Sequence, residues 1–178
     1  EVAVRTGNQM PSSMLSRLSN SKQALLYLKE RNGQERALLT GAFSAGGLTT
    51  AQFNTFLGLL GDQSTFQRIA ISYATPKQET LLLDKLSDPA AKEIATIEQM
   101  VKYKGANTEL GYSAEDWFAK ITAKIDLLRF VEESYSADIQ NEIRTNMDES
   151  RRALWSYSII LAISLGLTLW LCIQIIRN

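Results

Sequence analysis

Trp155 to Ile176, WSYSIILAISLGLTLWLCIQII, is the stretch whose reading decides the fold. It carries no Asp, Glu, Lys or Arg. An apolar run of about 20 residues, at about 1.5 Å rise per residue, spans the hydrocarbon core of a bilayer. Trp155 and Tyr157 stand at one end, where amphipathic rings favour the headgroup level. Arg151 and Arg152 precede the run and Arg177 follows it. A buried core helix is the competing reading, but the run is too long and too uniformly apolar for a domain of this size. The sequence therefore predicts a transmembrane helix over 155–176, with the rest of the chain outside the lipid and reporting through it.

The chain has 178 residues, and those outside the run suffice for one domain with a real core. Lys plus Arg and Asp plus Glu both number 19, so no charge excess points to nucleic acid as a partner. Histidine is absent, which removes the commonest metal ligand and the commonest general base. The single cysteine, Cys172, lies inside the apolar run, so neither a disulfide nor a thiolate metal site is available. A cysteine-free ectodomain suits a bacterial periplasm. Only three prolines occur, and Leu, Ala, Gln, Glu, Lys and Ser dominate, a mix that favours helices. The chain starts at Glu1 and ends two residues past the run. It reads as a piece excised from between an earlier membrane segment and a following cytoplasmic signalling module.

Residues 1–11 read as polar and irregular. From about Ser12 to Phe43 a first helix is predicted. Met14, Leu18, Ser21, Leu25, Leu28, Asn32, Glu35 and Leu39 follow alternating steps of four and three, the spacing of a bundle seam. The seam turns polar at Asn32 and Glu35, with Gly33 between them. A mid-helix glycine costs about 1 kcal/mol against alanine, which predicts a local compensation. The glycine-rich Ser44–Leu48 suits a reversal. Thr49 and Gln52 then form a capping-box pattern for a second helix, whose inward stripe is Phe53, Phe56 and Leu60, extended by Gln63 and Gln67. Thr75-Pro76 and Asp88-Pro89 open two short helices by one device, a capping side chain followed by proline. These two read as one kinked arm. Ser113 caps the last helix, with Glu115 and Asp116 in its first turn. Phe118, Ile121, Ile125, Leu128, Tyr135 and Ile139 form its seam. No breaker occurs from Ser113 to the apolar run, so one rod of about 60 residues, roughly 90 Å, is expected. The expected fold is all-α: an up-and-down four-helix bundle over 12–139, a juxtamembrane stalk over 140–154, and the last helix continuing into the transmembrane span.

Enzyme signatures are missing: there is no G-x-S-x-G, no phosphate loop and no metal-ligand spacing. No cofactor is expected, and the chain does not read as an enzyme. The residues that invite a ligand are cationic. Arg36 follows Asn32 by four positions beside the polar part of the seam. Its planar fork of donors matches a planar oxyanion such as nitrate, nitrite or carboxylate. Counted at 1.5 Å per residue, Arg36 stands roughly 40–50 Å above the bilayer. The last helix reaches that height between Lys120 and Arg129, a window containing Lys124. A second cation beside Arg36 makes sense with an anion between them. Gln63 and Gln67 can donate amides from a third side. The candidate ligand residues are therefore Arg36, Asn32, Gln63, Lys124 and Arg129. The competing reading of Arg36 is an interhelical ion pair.

Asn32-Gly33-Gln34-Glu35-Arg36-Ala37-Leu38-Leu39, a helix break, then Leu57–Phe66 (LGLLGDQSTF), resembles the nitrate- and nitrite-sensing domain of bacterial receptors. Trp117–Leu128 (WFAKITAKIDLL) is similar to the last-helix pattern of its chemoreceptor members. The resemblance implies an all-helical periplasmic sensor between two membrane helices, coupled to a signalling or chemotaxis output. It places the family's anion-binding arginine on Arg36. A second family arginine on a later helix has no counterpart by motif, and Lys124 or Arg129 stands in its place.

The sequence thus predicts the extracytoplasmic sensor of an inner-membrane receptor, with a small anion as ligand, the lipid bilayer and a second copy of the chain as partners, and the signal sent through the last helix. The alternative is a ligand-free, membrane-anchored helical interaction module.

Overall fold

The computed structural model describes the backbone of residues 2–177 and the side chains of 13–148, 150–166, 168, 170, 172 and 175–177. Five helices follow one another: α1 (Val2–Ala45), α2 (Thr50–Tyr73), α3 (Pro76–Leu86), α4 (Pro89–Lys104) and α5 (Ala114–Arg177). No strand occurs among the described residues. The class is all-α.

The helix starts follow the sequence chemistry. Gln52 N–H donates to the Thr49 hydroxyl, and Thr49 N–H donates back to Gln52 Oε1, closing the capping box of α2. Thr75 and Gln78 repeat it at α3, with Pro76 in the first turn. Ala90 N–H donates to Asp88 Oδ1 at α4, and Asp116 N–H to Ser113 Oγ at α5. Each pair satisfies backbone donors that a helix start leaves orphaned.

One boundary differs. Residues 1–11, expected irregular, are helical from Val2 onward. A proline at position 11 has no N–H to give the ladder, at a cost of roughly 3 kcal/mol for a helix interior. The remaining bonds of a 44-residue helix carry the backbone through it.

The chain divides into two compact units, residues 1–139 and 140–178. In the first, the α1 seam points inward: Leu18, Ser21, Leu25, Leu28, Asn32, Glu35 and Leu39 are all buried. Two apolar clusters result. One joins Leu39, Ala42 and Phe43 of α1 to Phe56 of α2, Ile94, Ile97 and Val101 of α4, and Trp117 and Ile121 of α5. The other joins Ala24, Leu25 and Leu28 of α1 to Ala70 of α2, Leu82 of α3, and Leu128, Val131 and Tyr135 of α5. Each cluster therefore draws on four helices, with α4 and α3 serving in turn as the fourth. Lys29 pairs with Glu132, and Arg36 bonds Thr122, so α1 and α5 run antiparallel.

The α5 seam buries Ile121, Leu128 and Tyr135 as expected and differs at its start, where Trp117 takes the inward place of Phe118. Trp117 is fully buried, whereas Phe118 is 48% exposed. The buried set 117, 121, 128, 131, 135 keeps seam spacing when Lys124 fills its gap. Trp117 also gains a partner that Phe118 could not use, donating Nε1–H to the Arg36 carbonyl at 3.2 Å. Beyond α1 and α4, the loops pair: Asn107 N–H donates to Leu48 O at 2.7 Å and Leu110 N–H to Gly46 O at 2.9 Å. There a Cβ on Gly47 would come within 2.7 Å of the Thr108 carbonyl oxygen, so this crossing requires glycine.

In the second unit, α5 remains helical to Arg177. Among the described residues, no helix is long and apolar enough to cross a membrane. The side chains of 167, 169, 171, 173 and 174, within the uncharged run, lie outside the described set.

Candidate functional site

Between the two apolar clusters lies a polar layer. On α1 the cluster residues Leu28 and Leu39 bracket Asn32 and Glu35; on α2 Phe56 and Ala70 bracket Gln63; on α5 Ile121 and Leu128 bracket Lys124. Asn32 and Glu35 have no exposure at all. Gln63 Nε2 donates to Glu35 Oε2 at 2.7 Å, and Asn32 Nδ2 donates to the Leu28 carbonyl at 2.9 Å. Lys124 reaches Glu98 of α4, 3.1 Å from Nζ to Oε1, with both side chains largely buried. Asn32 Oδ1 and Glu35 Oε1 are buried without a hydrogen-bond partner. Both are acceptors, three positions apart on one helix face.

That arrangement raises the proton affinity of Glu35. Burial dominates and Glu98 adds to it, while Lys124 and the Gln63 amide oppose it; the carboxyl is pushed up to about 7. A buried carboxylate is costly, whereas a carboxylic acid supplies a donor where two acceptors face none.

The layer opens on one side. A cavity of about 420 Å³ is lined by Gln63, Gln67 and Arg68 of α2, Glu98 and Lys102 of α4, and Lys124 of α5. Arg36 faces elsewhere. Its guanidinium donates to Thr122 Oγ1 at 3.0 Å and sits 4.8 Å from the centre of the Phe118 ring. The Thr122 hydroxyl spends its own proton on the Phe118 carbonyl, 2.6 Å away, so it meets Arg36 as an acceptor. Two further bonds fix the Arg36 backbone: its carbonyl accepts from Trp117 Nε1 and from Thr40 Oγ1. No carboxylate pairs with Arg36 among the described residues. A guanidinium has five N–H donors, so donors remain for an incoming planar oxyanion.

The family model described as nitrate and nitrite sensing matches residues 1–140. The chain belongs to that family. No curated protein and no solved structure matches it.

Within this nitrate and nitrite sensing domain, the five candidate residues divide. Gln63 and Lys124 line the cavity, and Asn32 lies in the buried layer with Glu35. Gln63 and Asn32 have each given an N–H to a protein acceptor. Arg36 stands on the Thr122–Phe118 face of α5. Arg129 is exposed and pairs with Asp126 one turn away at 3.0 Å. Each candidate cation of α5 already has a carboxylate: Lys120 pairs with Glu93, Lys124 with Glu98 and Arg129 with Asp126. Rise along the helix put these cations at one height, but their direction around α5 sends the two lysines to α4. Glu98 and the Thr122–Phe118 platform escaped the sequence reading. A Lys124-to-carboxylate match across helices had no signal; the aromatic and hydroxyl at positions i and i+4, facing an arginine, did.

Proposed function

We propose that the chain is the periplasmic sensor of a bacterial inner-membrane receptor, binding nitrate or nitrite at Arg36 and reporting through α5. Arg36 carries the reading: a half-buried guanidinium held by Thr122 and Phe118, its backbone carbonyl fixed by Trp117, with no carboxylate paired to it among the described residues. A structural ion pair, the competing account, would have closed it with Glu35 or Asp126. Instead Glu35 accepts from Gln63 and Asp126 pairs with Arg129. An anion seated against the α5 face would favour one packing of α1 on α5, and differential affinity for two packings is all that a sensor requires.

The five helices fit an up-and-down bundle of four columns, with α3 and α4 sharing one. The run 155–176 then crosses the bilayer. Its support is chemical: the segment carries no charge, and Trp155, Tyr157, Ile160, Ile163 and Ile175 are each more than half exposed. Such a surface needs an apolar surrounding, which lipid supplies. A homodimer and a cytoplasmic signalling module complete the proposed receptor. Chemotaxis is one such output.

Calorimetry of the chain with sodium nitrate and sodium nitrite tests the site. Saturable binding should appear, and Arg36→Ala should weaken it at least tenfold, the loss expected for a charge-assisted contact. Unchanged binding in Arg36→Ala would remove the site.

A further inference from the structure

The cavity between α2 and α4 is not accounted for by an oxyanion at Arg36. Its volume, about 420 Å³, lies within the roughly 300–1,000 Å³ of small-molecule pockets. Nitrate has four heavy atoms and fills about 120 Å³ at the roughly 30 Å³ that one water molecule, with its single heavy atom, occupies. The cavity would hold it loosely at best.

Charge points the same way. Arg68, Lys102 and Lys124 line the cavity, and Glu98 is its one carboxylate among the described residues. Lys124 and Glu98 neutralise each other at 3.1 Å. Arg68 and Lys102 are left, and neither pairs with a carboxylate among the described residues. They rise from different helices, α2 and α4, and both line the cavity. Two uncompensated cations carried by different helices suit two anionic groups joined by a short apolar spacer. Leu60, Leu86, Ala91 and Ala95 supply apolar lining for such a spacer.

We propose that the α2–α4 cavity is a second binding site, taking a small organic dicarboxylate. Arg68 receives one carboxylate in its planar fork, Lys102 receives the other as a point charge, and the Gln67 amide lies within the same wall. Gln63 links this site to the interior, since it lines the cavity and also donates to Glu35, the residue preceding Arg36. The site stands whether or not nitrate binds at Arg36.

The test is calorimetry of the full chain in detergent micelles, with succinate and nitrate as separate probes. Wild type should bind succinate at one site per chain. Arg68→Gln with Lys102→Gln, both at exposed positions, should weaken succinate at least tenfold and leave nitrate unchanged. Arg36→Ala should leave succinate unchanged. The proposal is overturned if wild type gives no succinate binding, if the double variant binds succinate as wild type does, or if the double variant loses nitrate equally, which would make the cavity the nitrate site. Succinate binding without any nitrate binding would support the cavity and remove the Arg36 reading alone.

Discussion

Two faces of one short stretch of α5 treat cations in opposite ways. On the face toward α4, Lys120 and Lys124 meet Glu93 and Glu98. On the face toward α1, Phe118 and Thr122 offer a ring and a hydroxyl oxygen, and Arg36 arrives without a counter-ion among the described residues. A neutral platform orients a guanidinium and leaves its charge available; a carboxylate orients a lysine and consumes its charge. The difference separates a cation neutralised within the fold from one whose charge stays available, although both lie at one level of the chain.

The comparison is broken most severely at Lys124. Lys124→Ala leaves Glu98 and Glu35 without their shared cation in a largely buried layer. Removing one member of a buried pair costs about 3 kcal/mol, and the variant should show that loss in urea unfolding. Next in size is the effect of pH through Glu35. Its folded pKa, about 7, exceeds the ordinary 4.5, so the native state holds the extra proton between those values. Stability is therefore greatest below about pH 4.5, falls as pH rises to about 7, and is level above it with respect to this group. Glu35→Gln keeps the acceptor for Gln63 and removes the titration. Its melting temperature should exceed that of wild type at pH 8, and the gap should close at pH 4.5; an equal gap at both would exclude Glu35 as the source.

Arg36→Ala should cost about 1 kcal/mol of stability, one hydrogen bond to a neutral group and one exposed cation–ring contact, while removing anion binding. A loss as large as that of Lys124→Ala would erase the contrast between the faces. The smallest effect is a gain. A Cβ on Gly33 meets nothing within 4 Å, so the compensation expected for this mid-helix glycine is absent from its surroundings. Gly33→Ala should raise stability by about 0.5–1 kcal/mol, read from the thermal midpoint.

The seam of α1 was legible because a four-three alternation admits one inward face, and Leu18 through Leu39 obey it, polar members included. The caps at Thr49, Thr75, Asp88 and Ser113 were legible because they are local, made within three residues. At Trp117 and Phe118 the signal ran out: adjacent aromatics leave the phase of a seam open by one residue, and only the bond to the Arg36 carbonyl decides it. The candidate site fared similarly. Axial rise located Lys124 near Arg36 in height, but azimuth depends on where α4 packs, which no spacing within α5 encodes. Arg36 itself was visible from its chemistry; the i, i+4 spacing of Phe118 and Thr122 marked one shared face of α5, but not that this face meets Arg36.

Thr122 and Lys124 are two positions apart, and at 3.6 residues per turn that places them about 200° around the helix from each other. They form the arms of a see-saw. A sideways slip of α5 that shortens the reach of Lys124 to Glu98 lengthens that of Thr122 to Arg36, and the reverse. Whatever occupies one flank of this helix is thereby placed in mechanical opposition to whatever occupies the other.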